Sequence, residues 1–252
     1  MKLLCALFLG LSFLTFSASA ADTDVIGIQM QHLQSEYWVN KQKDADQVLL
    51  SQTQIKQLNQ RTFNQQNELQ DLADLPAALS AEDLKAAIEQ VSSVPSSDRF
   101  YADGTQLTPE HYQPYLENLN ITNIRALNPV RFALVTERTH MRRFPSADKA
   151  YNQEMDLDID RFIETGLFPG DALAIYHQSK DGQWLLARAY HYLAWLPASS
   201  VAIGTKEQVL AYGQKTPFMV VTGAKVFTNH NPEVVQLSEK QLDMGVRLPL
   251  LS

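Results

Sequence analysis

Three short stretches of this chain carry side chains whose types and spacing could do chemistry. The first, ERTHMRRF, gathers Arg138, His140, Arg142 and Arg143 in a chain that is otherwise acidic. A planar guanidinium fork takes a carboxylate bidentately, so the cluster suits an acidic ligand. The same arginines also suit a surface face paired with nearby Asp or Glu, where each pair contributes little. The second stretch, DLDIDRFIETG, sets Asp156, Asp158 and Asp160 at alternate positions. An EF-hand calcium loop also needs Gly at its sixth place and Glu at its twelfth. Arg161 and Leu167 stand there, so the stretch reads as an acidic, solvated loop ahead of a strand. The third, YHYLAW, read as a strand, puts Tyr190, Tyr192 and Ala194 on one face and His191, Leu193 and Trp195 on the other. Aromatic residues on such a strand usually belong to a core, which suits Trp195, while Tyr190 and Tyr192 are the better candidates for an aromatic shelf that takes a peptide or a sugar.

Several reaction classes lack their parts. The only cysteine is Cys5, and the six histidines are scattered without metal-ligand spacing such as HExxH. Gly-x-Ser-x-Gly does not occur, and the lone Gly204 in GTKEQ is not a phosphate loop. No cofactor and no metal are therefore expected. A formal charge of −7 without blocks of Lys or Arg argues against nucleic acid as a partner.

The elements that must position these residues begin after a leader. Lys2, the apolar run Leu3 to Leu14 and the small residues up to Ala20 form a signal peptide, residues 1–20, cleaved near Ala20. The apolar run is too short to span a bilayer, so no membrane anchor is expected and the product is periplasmic or secreted. Cleavage there removes Cys5, leaving no disulfide and no thiol nucleophile. Residues 21–128 read as helical. Ser51 caps a helix bearing Ile55, Leu58 and Phe63, and Ser80 caps another with Leu84, Ile88 and Val91 on one face. Thr108 before Pro109 starts a third, whose regularity Pro114 limits. At Asn128–Pro129 the period changes to short strands bounded by Pro, Gly and Asp, with Lys180-Asp181-Gly182 as a hairpin turn. Residues 129–214 thus read as a small barrel or sandwich. Residues 215–252 open like a second copy of the same β domain, one left unfinished.

These stretches also resemble a known family. RTHMRRFPS and DIDRFIETGLFPGDALAIYHQSKDGQWLLARAYHYLAWLPASSVAI are similar to the first SH3-like domain of secreted NlpC/P60 cell-wall peptidases. EYWVNKQKDADQVLLSQTQIKQLNQRTF and LQDLADLPAALSAEDLKAAIE resemble the helical N-terminal stabilising region of those proteins. The segment from FMVVTGAKVF to DMGVRLPLL is similar to the start of their second SH3-like domain. The resemblance implies an α+β fold, with a helical N-terminal region packed on a bacterial SH3-like β-barrel and an incomplete second SH3-like domain behind it. Where the family usually has Gly before the second tryptophan this chain has Ala194, and a small local adjustment is expected there.

The family's reaction is cleavage of the γ-D-glutamyl to diamino-acid bond by a papain-like Cys/His domain, and that domain is absent here. The resemblance therefore implies a non-catalytic region that binds peptidoglycan stem peptides or muropeptides and sets specificity for a hydrolase, with the missing NlpC/P60 catalytic domain as a partner. A self-standing periplasmic SH3-like binding or adaptor protein is the other reading. The family's RT-type loop then assigns a ligand-facing role to Asp160, Arg161, Glu164 and Thr165, beside Tyr190 and Tyr192.

Overall fold

The computed structural model describes residues 23–250 except Ala45 and Asn67. The expected leader at 1–20, with its cleavage point, lies outside the described residues. Compactness divides the chain between Gln60 and Arg61. The first unit holds a short 3-10 turn, α1 (Ser35–Val39) and the start of α2 (Gln52–Gln65). Trp38 Nε1 donates to the His32 carbonyl at 2.7 Å, and the Tyr37 and Trp38 rings meet edge-on at 5.0 Å. Ser51 Oγ accepts from the Gln54 amide at 3.3 Å, which starts α2 where the sequence places it.

In the second unit α3 (Ala81–Ser92) forms because Ser80 Oγ accepts from the Asp83 amide at 3.0 Å and Leu84, Ile88 and Val91 share one buried face. α4 (Pro109–Asn118) begins at Pro109, whose missing N–H costs nothing there, and runs on unbroken through Pro114. A two-stranded ladder, β1 (Ala78–Ser80) against β2 (Leu127–Pro129), joins the start of α3 to the strands that follow.

Those strands are β3 (Arg131–Val135), β4 (Thr139–Arg142), β5 (Ile163–Leu167), β6 (Ala172–Gln178), β7 (Trp184–Arg188), β8 (Leu193–Pro197) and β9 (Val201–Gly204). They make one antiparallel sheet in the order β5-β4-β8-β7-β6-β3-β9. The β6–β7 turn explains its own sequence. Gly182 takes φ +74°, a region closed to most side chains, while Asp181 Oδ1 accepts from the Ser179 hydroxyl and, at 2.9 Å, from the Gln183 amide. Trp184 can then start β7, its amide donating to Ser179 Oγ at 3.0 Å. Ala194 pairs with Ala187 in an unbroken stretch of the β7–β8 ladder, so its Cβ demands no adjustment.

Two apolar clusters fill the unit. The first places Leu84 and Ile88 of α3 with Met141, Leu173, Ile175, Leu186, Trp195 and Leu196 of the sheet. Trp195 is fully buried, in a strand whose residues Leu193 to Leu196 are all buried. The second is an aromatic nest of Tyr112 and Tyr115 from α4 with Phe144 and Phe162 from the loop between β4 and β5. The Phe144 and Phe162 rings meet at 5.1 Å and 70°.

Three further expectations change. Residues 129–214 were expected to form a small barrel or sandwich, and the family resemblance implied an SH3-like barrel. Among the described residues β5 and β9 stand at opposite ends of the strand order and no ladder joins them, so closure of a barrel by strand pairing is not seen. β4 meets β8 at a single register pair, Arg142 with Trp195, and is bulged at Met141/Arg142, which turns the β4–β5 hairpin off the main ladder. α5 (Lys206–Tyr212), capped by Thr205, follows β9 directly and buries Val209 in the first cluster. YHYLAW was expected as one strand. Instead Tyr190 and His191 form the turn between β7 and β8, closed by the Ala189 amide on the Tyr192 carbonyl at 2.8 Å. The acidic loop was expected to be solvated throughout. Asp160 instead turns inward, because Arg142 is buried and needs a counter-charge.

Beyond α5 the chain forms two nested ladders, β10 (Phe218–Val220) with β13 (Arg247–Pro249) and β11 (Lys225–Phe227) with β12 (Gln241–Asp243). Leu242 and Val246 are buried there, while Phe218, Met219, Val220, Phe227 and Leu237 remain exposed.

The Arg142–Asp160 pair generates a prediction. The ions lie 2.9 Å apart with side-chain exposures of 9% and 5%. Asp160→Asn strands a buried guanidinium, and denaturant unfolding should show a loss of about 3–5 kcal/mol. A loss under about 1 kcal/mol would mean that the pair contributes no more than a surface one.

Candidate functional site

The surface built by the β4–β5 loop and the β7–β8 turn starts from α3. Ser92, in the last turn of that helix, accepts from Trp195 Nε1 at 2.9 Å and donates to the Arg143 carbonyl at 2.8 Å. One hydroxyl therefore fixes the helix end, the core tryptophan and the backbone beside the loop. Arg143 Nη1 reaches back to the Ser93 carbonyl at 3.2 Å. Its Nε meets Glu164 Oε1 at 3.0 Å, and the Tyr192 hydroxyl donates to Glu164 Oε2. Glu164 is thus held from both sides, by a guanidinium and a phenol on different elements.

The six residues marked in the sequence divide accordingly. Glu164 and Tyr192 come together. Arg161 is exposed on the loop, and its guanidinium has no partner among the described residues. Thr165 lies half-buried in β5, in register with Met141. Asp160 is lost to any ligand: Arg142 neutralises it, and its Oδ1 accepts the Ala150 and Phe162 amides at 3.2 and 3.0 Å. Tyr190 is 52% exposed but stacks on Phe63 at 6.1 Å and 29°. Its carbonyl accepts the Gln70 amide at 2.8 Å. The two tyrosines therefore do not make one shelf: Tyr190 leans on Phe63 and Tyr192 on Glu164.

The arginine cluster resolves toward pairing. Arg138 meets Asp243 at 3.4 Å, Arg142 meets Asp160 and Arg143 meets Glu164. Sequence reasoning singled out Arg143 but left it out of the site, and it missed Ser92 and Ser93. The one available signal was the alternation of Arg142 and Arg143, which sends neighbouring side chains to opposite faces. Among the described residues no group of three or more His, Cys, Asp or Glu is placed to hold a metal ion, and no helix is long and apolar enough to cross a membrane.

Comparison with known proteins gives the class first. Residues 146–197, from the β4–β5 loop through β8, match the family model of an SH3 domain of the SH3b1 type. The fold of the larger region is then shared with a solved NlpC/P60 endopeptidase from Photobacterium damselae subsp. piscicida, at 20% identity and a TM-score of 0.64. The likeness covers 83% of this chain and 49% of that one, so this chain spans about half the length of the endopeptidase. A comparison with curated proteins returned no match. The SH3b1 segment and the shared fold agree with the family resemblance of the sequence.

Tyr192 supplies a prediction with a definite sign. Burial and then the hydrogen bond to Glu164 push its phenol up to about 12, from an ordinary 10.0. A raised folded value means that the stability from this group is complete below about pH 10 and lost as pH rises toward about 12. Tyr192→Phe should cost about 1 kcal/mol at neutral pH and flatten the alkaline fall in stability between those limits. Denaturant midpoints measured from pH 7 upward would show this, and parallel curves for parent and variant would contradict it.

Proposed function

We propose that this chain is a non-catalytic region of an NlpC/P60-type peptidoglycan hydrolase that binds cell-wall stem peptides and sets specificity for them. The carrying observation is the loop surface on the SH3b1 segment, where exposed Arg161 stands beside the braced Arg143–Glu164–Tyr192 cluster. A rigid, already neutralised cluster does not need a ligand for itself. It holds the loop still, so that Arg161 can fork onto a ligand carboxylate at small entropic cost. Thr165 and the exposed edge of Tyr190 would add a hydroxyl and an apolar contact. Asp160 has no part in this reading.

The proposed setting is extracytoplasmic, at the cell wall. No hydrolytic step is assigned to the chain, because its only thiol, Cys5, lies in the expected leader. The exposed apolar side chains of β10 and β11 suit packing against further protein, such as a catalytic domain or the rest of a second SH3-like domain.

A shallow surface of this kind should bind weakly, and millimolar affinity corresponds to only about 4 kcal/mol. Co-sedimentation with purified peptidoglycan tests the reading. Arg161→Ala should weaken binding about tenfold, which is about 1.4 kcal/mol, with the melting temperature unchanged. Equal sedimentation of variant and parent would remove the loop from the binding surface. In a separate assay the purified chain should release no L-Ala-γ-D-Glu from a tripeptide stem. Chelator-resistant release that co-purifies with the chain would overturn the non-catalytic assignment.

A further inference from the structure

The turn that starts β7 also builds a second surface. A groove of about 660 Å³ lies between the end of α4, the Pro145–Asp148 stretch and the turn from Lys180 to Trp184. None of the six residues of the loop surface lines it. Its three walls are tied by one side chain. Asn118 Nδ2 donates to the Pro145 carbonyl at 2.8 Å and to Asp181 Oδ2 at 3.2 Å. Its Oδ1 accepts the Asp181 amide at 3.1 Å, and its carbonyl accepts the Lys180 amide at 3.0 Å. The groove is therefore set before any ligand arrives, which lowers the entropic cost of binding.

The lining sorts by chemistry. Pro114, Pro145 and the edge of Trp184 give apolar contact, while Glu117, Asp148 and Asp181 share the lining with a single cation, Lys180. Burial pushes Asp181 up, but hydrogen bonds from Ser179, the Gln183 amide and Asn118 outweigh it and hold the carboxyl below its ordinary range. Asp148 uses one oxygen to accept the Tyr115 hydroxyl at 2.6 Å, and Glu117 uses one for Gln113 at 3.1 Å. The second oxygen of each has no partner among the described residues. Tyr115 and Trp184 are only 5% and 8% exposed, so they offer edges and no open stacking face of the kind a sugar ring would use.

We infer that this groove binds an extended peptide segment through a primary amine, seated among Glu117, Asp148 and Asp181 with its methylenes against the two prolines. A lysine side chain fits that description: it is a compact ammonium with three donors on an apolar stem. The site is independent of the Arg161 surface, which faces carboxylates.

The test uses the whole purified chain, labelled with 15N, and two blocked peptides, acetyl-Ala-Pro-Lys-Ala-amide and its Nε-acetyllysine twin. The lysine peptide should move the Trp184 indole N–H and the Asn118 and Gln183 side-chain amide signals saturably. The twin should bind at least about tenfold more weakly. The double variant Glu117→Gln, Asp148→Asn keeps the acceptors for Gln113 and Tyr115 and should lose about tenfold, whereas Arg161→Ala should lose nothing. Equal binding of the two peptides, absence of a saturable shift or a loss caused by Arg161→Ala would each overturn the inference. Should the double variant melt early, the parent at roughly 0.5 M salt gives the same decision, since amine binding to exposed carboxylates must weaken there and an unchanged affinity refutes it.

Discussion

Arg142 and Asp160 lie 2.9 Å apart and largely out of water, at the two ends of the loop between β4 and β5. An ion pair in such a place contributes little net stability over an apolar pair of similar size, but losing either partner is costly. Its value here is positional. Arg142 Nε also donates to the Ser146 carbonyl at 2.7 Å, and its Nη2 to that of Asp148, so one guanidinium gathers the start of the loop. Asp160 gathers the end through the Ala150 and Phe162 amides. Phe162 is thereby delivered into the aromatic nest against Phe144 and Tyr115. With Arg142 turned inward, the next residue, Arg143, points outward to Glu164. The loop surface, the nest and the wall of the groove at Asp148 all follow from this one pairing.

What was legible in the sequence was what local period and local chemistry control. Ser80 and the spacing of Leu84, Ile88 and Val91 define α3, because a cap and one apolar face suffice. Asp181-Gly182 marks the hairpin, because the glycine takes the positive φ and the aspartate accepts the local donors. What was not legible depends on partners distant in the chain. Asp156, Asp158 and Asp160 look alike in sequence, yet only Asp160 finds a buried arginine. Tyr190 and Tyr192 seem to share a strand face because alternation alone cannot reveal a turn held by one amide between Ala189 and Tyr192. The absence of a closing ladder among the described residues escaped for the same reason: β4 meets β8 at one pair only, and no residue pattern announces that.

The two proposed surfaces differ in sign, and the difference has a structural origin. Around the β4–β5 loop Asp160 is taken by Arg142 and Glu164 by Arg143, which leaves Arg161 in solvent without an ion-pair partner among the described residues. Around the β6–β7 turn the acids serve as turn and helix-end acceptors, which leaves unused oxygens facing the groove. Acidic side chains do scaffolding work in both places, and what remains unsatisfied sets the charge offered outward.

Ser92 carries a consequence for how the sequence can vary. Its oxygen accepts from Trp195 and its proton goes to the Arg143 carbonyl, at a position that is 3% exposed. Alanine can do neither, cysteine does both feebly, and threonine adds a methyl group where packing is already dense. The last turn of the helix, the tryptophan strand and the loop backbone therefore cannot drift independently. An exchange at any one must be answered at the other two, so in lineages that keep this serine the three segments should be inherited as a block.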